Sequence, residues 1–434
     1  MIQFGPGVWE EATPNRGGTG SVGGLLMLTA LMLLVLAGAA GPSTPTWPAW
    51  GGPSGNFSVD GNGLPATFAA GTPKRLWQRN LGEGYSSIVT DGALLYTMYR
   101  RGHEEVVVAI DPVTGKTKWE YAYDAAFRPG MGMENGSGPH STPLVLGNCV
   151  YTIGVLAKMH AFEKKTGKMV WQKDLYKEFP GSTFMDRGYP VSPIAYKDTI
   201  IVKLGQYDHA VVALNPRDGS LVWQKQNFKN APSTPIIVNV DGQDQLVTTF
   251  SDEVVGLDPS NGNLLWSHPH STSWGLNIST PVWGPDNLLF ISSAYNGGAR
   301  VLHLAQSGGK TKVEELWSGN RMRVHHSNVI RIGNYVYGSS GDFGPAPMTA
   351  VDIRTGKVAW QDRTFGKVNM VLVGGKVILL DEEGDLALAT LSPQGMQVRW
   401  RVPLLQSNAW TAPTLVGTNL YVRDRRTMMA LDLR

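Results

Sequence analysis

The stretch Ala109-Ile110-Asp111-Pro112-Val113-Thr114-Gly115-Lys116-Thr117-Lys118-Trp119 decides the fold. It leaves an apolar, β-branched run, Val106-Val107-Val108, turns at Thr114-Gly115, and places a tryptophan on the strand that follows. Copies recur down the chain. Ala161-Phe162-Glu163 leads through Gly167 to Trp171, Ala213-Leu214-Asn215 through Gly219 to Trp223, Gly256-Leu257-Asp258 through Gly262 to Trp266, and Ala350-Val351-Asp352 through Gly356 to Trp360. Weaker copies end at Trp317 and Trp400. A period of about 40–50 residues built from short strands is the mark of a β-propeller. β-Branched strands suit burial between neighbouring blades. The Thr-Gly, Asp-Gly and Asn-Gly pairs supply the positive φ of a tight hairpin. The tryptophan then falls on each blade's outermost strand, where a large ring can wedge between blades; these rings are read as structural.

The two ends set the number of blades. Trp77, in Arg75-Leu76-Trp77-Gln78, is a second half-motif with no first half before it, and Ala430-Leu431-Asp432 is a first half with no second half after it. Joined, they make one blade, which predicts an all-β, eight-bladed propeller closed by pairing the N-terminal strand with the C-terminal blade. The tryptophan spacings are then 42, 52, 52, 43, 51, 43 and 40 residues. Such closure removes open sheet edges. The propeller is assigned to residues 74–434, with a linker and lead-in over 41–73.

The 434 residues include 52 Gly and 27 Pro, the turn-rich composition of a large all-β domain, and a net charge of +3 excludes a strong nucleic-acid footprint. Residues 22–40 form an apolar run ending in Ala37-Gly38-Ala39-Ala40. It reads as a cleaved signal peptide, with an uncleaved membrane anchor and a buried helix as alternatives. No cysteine follows it, which argues against a lipid anchor, and Gly41 to Gly63 is linker-like in composition. The single cysteine, Cys149, sits in an apolar strand and reads as an inert buried thiol.

The Ala-x-Asp-x-x-Thr-Gly-x-x-x-Trp repeats make the chain, from about Trp47 to Arg434, resemble the quinoprotein-type eight-bladed propellers, the pyrroloquinoline-quinone-like repeat family. One branch of that family is dehydrogenases; another is cofactor-free and includes the propeller that assists outer-membrane barrel assembly. The motif is shared by both, so it implies fold and not activity. Trp47-Pro48-Ala49-Trp50-Gly51-Gly52-Pro53 also resembles the opening of exported propellers of this type with no assigned activity. The dehydrogenase signature is poorly met. The adjacent cysteine pair that clamps quinone in many of those enzymes is impossible with Cys149 alone, there is no Cys-x-x-Cys-His haem site, and their calcium ligands find no matching motif. The resemblance therefore implies no bound cofactor, with pyrroloquinoline quinone and calcium as the alternative.

In a propeller the loops that lead into the innermost strands converge on the axis. Those loops carry Glu83, Tyr85, His140, Arg187, Tyr189, Asn277, Arg323, His325, Asn408 and Trp410, with Asn230 and Asn369 at related positions. Asn, guanidinium and aromatic groups at one mouth suit a polar ligand, and Arg187 with Arg323 would favour an anionic one. The competing reading is a watered channel whose polar side chains satisfy loop backbone. His325 and His326, adjacent on a strand, are expected to point to opposite faces, so that only one of the pair faces the axis. A zinc site of His140 with one of them is the weaker reading. Asp381-Glu382-Glu383-Gly384-Asp385 reads as a solvated turn. No phosphate loop, nucleophile elbow or zinc-protease motif is present. The long loops 123–139, 179–190 and 320–326 predict a rim of Met, Phe and Arg above the channel.

The resulting expectation is an exported, cofactor-free, monomeric propeller that binds a polar or anionic small molecule or a protein partner at its channel mouth. Nucleic acid is not a partner, and a membrane is met only through residues 22–40 if these stay uncleaved. The alternative is an enzyme at the same mouth, either a quinone-dependent alcohol or sugar dehydrogenase or a sugar lyase or hydrolase.

Overall fold

A computed structural model of the chain describes residues 45–61, 64, 72–128, 131–134, 136–406 and 408–434. The apolar run 22–40, and with it the reading of that run as signal or anchor, lies outside the described residues. Among the described residues no helix is long and apolar enough to cross a membrane.

The triple-valine run behaves as its composition demands. Val106, Val107 and Val108 are fully buried within the strand Glu104–Ile110, flanked by Leu95–Arg101 and by Thr117–Asp124, which carries Trp119. The same antiparallel meander recurs to give eight sheets around a ring. Blade 1 spans 89–124, blade 2 144–174, blade 3 194–225, blade 4 236–269, blade 5 282–319, blade 6 330–362 and blade 7 368–403. Blade 8 is composite. Its inner strands are Thr414–Val416, Asn419–Arg423 and Thr427–Asp432, and its outer strand is Lys74–Asn80, with Trp77 opposite Ala430 and Gln78 opposite Met429. The complementary half-motifs at the two ends thus meet in one sheet.

The repeat tryptophans tie blade to blade. Trp119 donates its Nε1–H to the Lys164 carbonyl of blade 2 at 2.9 Å, Trp171 to Pro216 of blade 3 at 2.9 Å, and Trp360 to Ser392 of blade 7 at 2.8 Å. Trp266 and Trp223 depart from this pattern: Trp266 donates to Gln245 Oε1 of its own blade at 2.7 Å, and the Trp223 Nε1–H has no partner among the described residues. Blade 5, beside the blade of Trp266, has a longer hairpin, Gly298–Ser307 with Lys310–Gly319.

A second set of ties holds the inner loops. The second strand of a blade ends beneath the loop that leads into the next blade. Arg423 at such an end is fully buried and donates to the carbonyls of Gly84 (2.9 Å), Ser86 (3.1 Å) and Met98 (2.9 Å), joining blade 8 to blade 1. Lys203 in blade 3 donates to the carbonyls of Ser233 (2.7 Å) and Thr249 (2.8 Å) of blade 4. Burial pushes its ammonium well below the usual lysine range. Arg100 in blade 1 reaches the Ser137 carbonyl at 3.1 Å on the way into blade 2. Buried polar groups of this kind are tolerated because their hydrogen bonds offset desolvation.

The segment read from composition as a linker is in part a packed element. Trp47 is 2% exposed and pairs with Thr90 of blade 1; the Pro48 carbonyl accepts from Val145 of blade 2 at 2.7 Å; Trp50 donates to Thr280 Oγ1, just before blade 5, at 2.9 Å. Ser58–Val59 then adds a parallel strand to blade 7 beside Leu372 and Val373. Residues 47–59 therefore bridge blades on different sides of the ring. Composition misled because Trp47 and Phe57, both buried, supply the apolar anchors among many turn residues. Gly52 turns at φ +79 directly under the Trp47 indole, where a Cβ would lie 2.9 Å from the ring.

The acidic run 381–385 is likewise more ordered than a solvated turn. Asp381 is buried and accepts from the backbone N–H groups of Glu383 (3.1 Å) and Asp385 (2.9 Å), capping its own hairpin.

Candidate functional site

One end of the ring carries the loops that link fourth strands to the next blade and second strands to third ones. At its centre lies a cavity of about 650 Å³. Tyr85, His140, Arg187, His325 and Trp410 of the expected set line it.

Its most ordered wall is made of rings. His140 stacks on Tyr85 (centroids 5.8 Å apart, 8° between planes), and Tyr85 stacks on Trp410 (5.3 Å, 24°). Trp410 meets His326 at 4.4 Å, His326 meets His325 at 4.9 Å, and His325 stands edge-on to Tyr295 at 5.0 Å. Trp274 (4.9 Å from Tyr295) and Phe343 (5.7 Å) end the arc at the lip. Such pairs each contribute about 0.5–1.5 kcal/mol beyond simple burial. Loop hydrogen bonds set the rings in place. Tyr85 N–H donates to the Pro139 carbonyl at 2.8 Å, Asn369 donates to the Trp410 carbonyl at 3.0 Å, and the Trp410 indole donates to Glu382 at 3.3 Å.

The imidazoles of this wall are neutral at ordinary pH. Burial drives both His140 and His325 down to about 4 and His326 well below the usual range. His140 Nε2 bonds to the Arg187 carbonyl at 3.0 Å, and His325 Nε2 bonds to the Tyr295 hydroxyl.

Other expected residues are placed elsewhere. Tyr189 is fully buried in the core and donates to the Lys203 carbonyl at 2.8 Å. Asn277 is fully buried and spends its amide on the carbonyls of Phe250 (2.6 Å) and His270 (2.9 Å), while its oxygen accepts from Ser293. Both serve the loops, as the backbone-satisfying alternative requires. Glu83 pairs with Arg425 (2.9 Å) and Arg426 (2.7 Å) and does not line the cavity. Burial works to raise its pKa, yet the two guanidiniums hold it at about 2. Asn408 and Arg323 also lie outside the lining. Asn408 occupies a φ +66 turn beside the mouth.

The expected positive patch does not form. Arg187 is paired with Glu134 at 2.8 Å and Arg323 lies 3.9 Å from Asp342, so each guanidinium faces a carboxylate. The expected alternation of His325 and His326 fails too, because the strand begins only at Ile330 and the loop turns both rings to the cavity. Sequence reasoning missed Trp50, Phe184, Trp274, Tyr295, His326 and Phe343 as lining residues. One signal was available. Three of the tryptophans that fall outside the repeat spacing, Trp50, Trp274 and Trp410, line this one cavity.

The cavity offers little to hold a calcium ion beside a quinone. Asp186 is the one carboxylate in its lining, and among the described residues no group of three His, Cys, Asp or Glu side chains is placed to hold a metal ion.

Eight blades docked by tryptophans and closed by the first and last strands define a repeat propeller of the quinoprotein type. Within that class, the chain belongs to the family described as outer membrane protein assembly factor BamB, whose profile matches residues 61–225 and, in an overlapping alignment, 103–362. It is 25% identical over 345 residues to the outer membrane protein assembly factor BamB of Yersinia pestis, covering 74% of this chain and 81% of that protein. Among solved structures it resembles BamB from Moraxella catarrhalis (TM-score 0.58, 16% identity, 83% of this chain and all of that one). It also resembles quinohemoprotein alcohol dehydrogenase from Comamonas testosteroni (TM-score 0.65, 14% identity, 91% of this chain and 81% of that one). These structural likenesses speak to fold alone, since an assembly factor and a dehydrogenase share it.

Proposed function

We propose that the protein is an exported, cofactor-free scaffold of the outer-membrane assembly type that holds a protein partner on its loop-rich face. Residues 22–40 act as the export signal in this reading. The observation that carries it is the placement of exposed apolar side chains. Met133, Phe184, Tyr207, Trp274 and Phe343 all sit in loops at the end of the ring that bears the cavity, and Phe343 is 72% exposed. Large exposed rings around a concavity are the anatomy of a protein-binding hot spot.

The test is site-specific photo-crosslinking in the native host. A photoreactive phenylalanine analogue replaces either Phe343 or Val113, which is 78% exposed on a third-to-fourth-strand turn at the opposite end. A discrete protein adduct from position 343 and none from 113 is the expected result. No adduct at 343, or the same adducts at both positions, overturns the proposal.

A further inference from the structure

The two walls of the cavity differ in what they have left to offer. The polar wall is largely committed to its own loops. The Asn230 amide donates to the Lys203 carbonyl (3.2 Å) and its oxygen accepts from Ala231 N–H (3.0 Å). Thr234 Oγ1 accepts from Ser192 N–H (3.2 Å), Ser192 Oγ from Thr142 N–H (2.9 Å), and Thr280 Oγ1 from the Trp50 indole. The lining atoms left without a partner among the described residues, Ser327 Oγ and the Nδ1 atoms of His325 and His326, lie among the rings, and they offer single polar contacts where a hydroxyl-rich ligand needs many. Charge offers little more. Arg187 is held by Glu134, and Lys229 and Asp186 oppose each other in sign around the lining. An anion lacks a concentrated positive wall, and a cation drawn to the rings would meet Lys229 and Arg187.

Beside these few polar atoms the cavity presents its rings. Phe184, Trp274 and Phe343 line the cavity and are also exposed, and through Tyr295 the rings of Trp274 and Phe343 continue the aromatic wall from solvent into the concavity. The volume of about 650 Å³ lies within the range of about 300–1,000 Å³ typical of specific pockets.

We infer that the cavity receives an uncharged aromatic side chain, tryptophan, tyrosine or phenylalanine, carried on an extended segment of the partner protein. This rests on the reading of the loop-rich face as a partner-docking face. Ring-on-ring contact and exclusion of water supply the selectivity, and the segment's backbone lies across the lip.

The experiment titrates the full exported protein with capped tripeptides, acetyl-Gly-Xaa-Gly-amide with Xaa as Trp, Tyr, Phe, Leu, Lys or Glu, and with cellobiose, followed by saturation-transfer NMR. Expected is binding of the Trp, Tyr and Phe peptides at least about tenfold tighter than the Lys and Glu peptides and cellobiose. The double variant Trp274→Ala/Phe343→Ala should weaken them by about tenfold or more, with its melting temperature unchanged because both side chains are exposed. Val113→Ala should leave affinity as it was. Preference for Lys, Glu or the saccharide, no binding by any aromatic peptide, or indifference to the double variant overturns the inference. Crosslinking at position 343 without aromatic-peptide binding defeats this inference and leaves the docking reading intact. Aromatic-peptide binding without crosslinking overturns the docking reading, and with it the partner as the source of the ring, and leaves only the cavity's preference for an aromatic side chain.

Discussion

The Trp77 indole lies flat over Gly115 of blade 1 while its Nε1–H bonds to the Pro112 carbonyl at 2.9 Å. Trp77 comes from the strand that completes blade 8, so this contact links the composite blade to its neighbour. A Cβ on Gly115 would sit 2.7 Å from the indole, and the residue holds φ +70. Gly115→Ala should therefore lower stability by about 2–3 kcal/mol, combining left-handed backbone strain with overpacking. Gly147, at φ +58 with open space around it, isolates the backbone component. Gly147→Ala should cost only about 1 kcal/mol. Urea denaturation of the two variants checks the difference.

Arg423 makes the deepest polar tie across the same junction. Arg423→Met removes donors from three buried carbonyls and should cost about 3 kcal/mol or more. Arg425, paired with Glu83 in a partly exposed site, is the comparison; Arg425→Ala should cost about 1 kcal/mol or less. Denaturation midpoints in urea distinguish the two.

Trp47 tests the bridging segment. Its side chain is almost wholly buried against the ring, and Trp47→Ala should cost about 3–5 kcal/mol. If residues 47–59 were a free linker, the same variant would leave the thermal transition where it is.

Acid should destabilise the protein before its carboxylates titrate. Burial lowers His160 to about 4, and burial together with the nearby Arg300 lowers His270 to about 3. Their unfolded-state values are about 6.5. Between about pH 6.5 and 4 the unfolded chain takes up protons that the native state refuses, so stability present above 6.5 falls as pH falls. The expected loss is on the order of a few kcal/mol across that window. Thermal melts at half-unit pH steps measure it, and His270→Gln should flatten the slope.

Blade number and closure were legible because they rest on spacing. A tryptophan four residues after a turn glycine survives as a pattern whatever surrounds it, and the split motif at Trp77 and Ala430 specifies the seam. The mouth was legible only as a set of loops. Which side chains face the axis depends on loop geometry with no period: His325 and His326 share a face, and Tyr189, only two residues from Arg187, turns into the core. Asn277 looked like a ligand group because sequence does not reveal that three nearby carbonyls need its amide. The plain charge of Arg187 and Arg323 misled for a similar reason, since Glu134 and Asp342 reach them from distant loops.

The seam in blade 8 also governs the order in which the molecule can be made. The strand Thr427–Asp432 lies between Lys74–Asn80 and Asn419–Arg423, so a strand made before blade 1 waits for the third strand of blade 8. During synthesis the growing arc of blades keeps both flanks unpaired, and only release of the strand 427–432 lets it lock into a ring. A chaperone that shields such flanks would have its longest engagement with segment 74–80, and premature termination anywhere before residue 427 would yield an open arc prone to self-association.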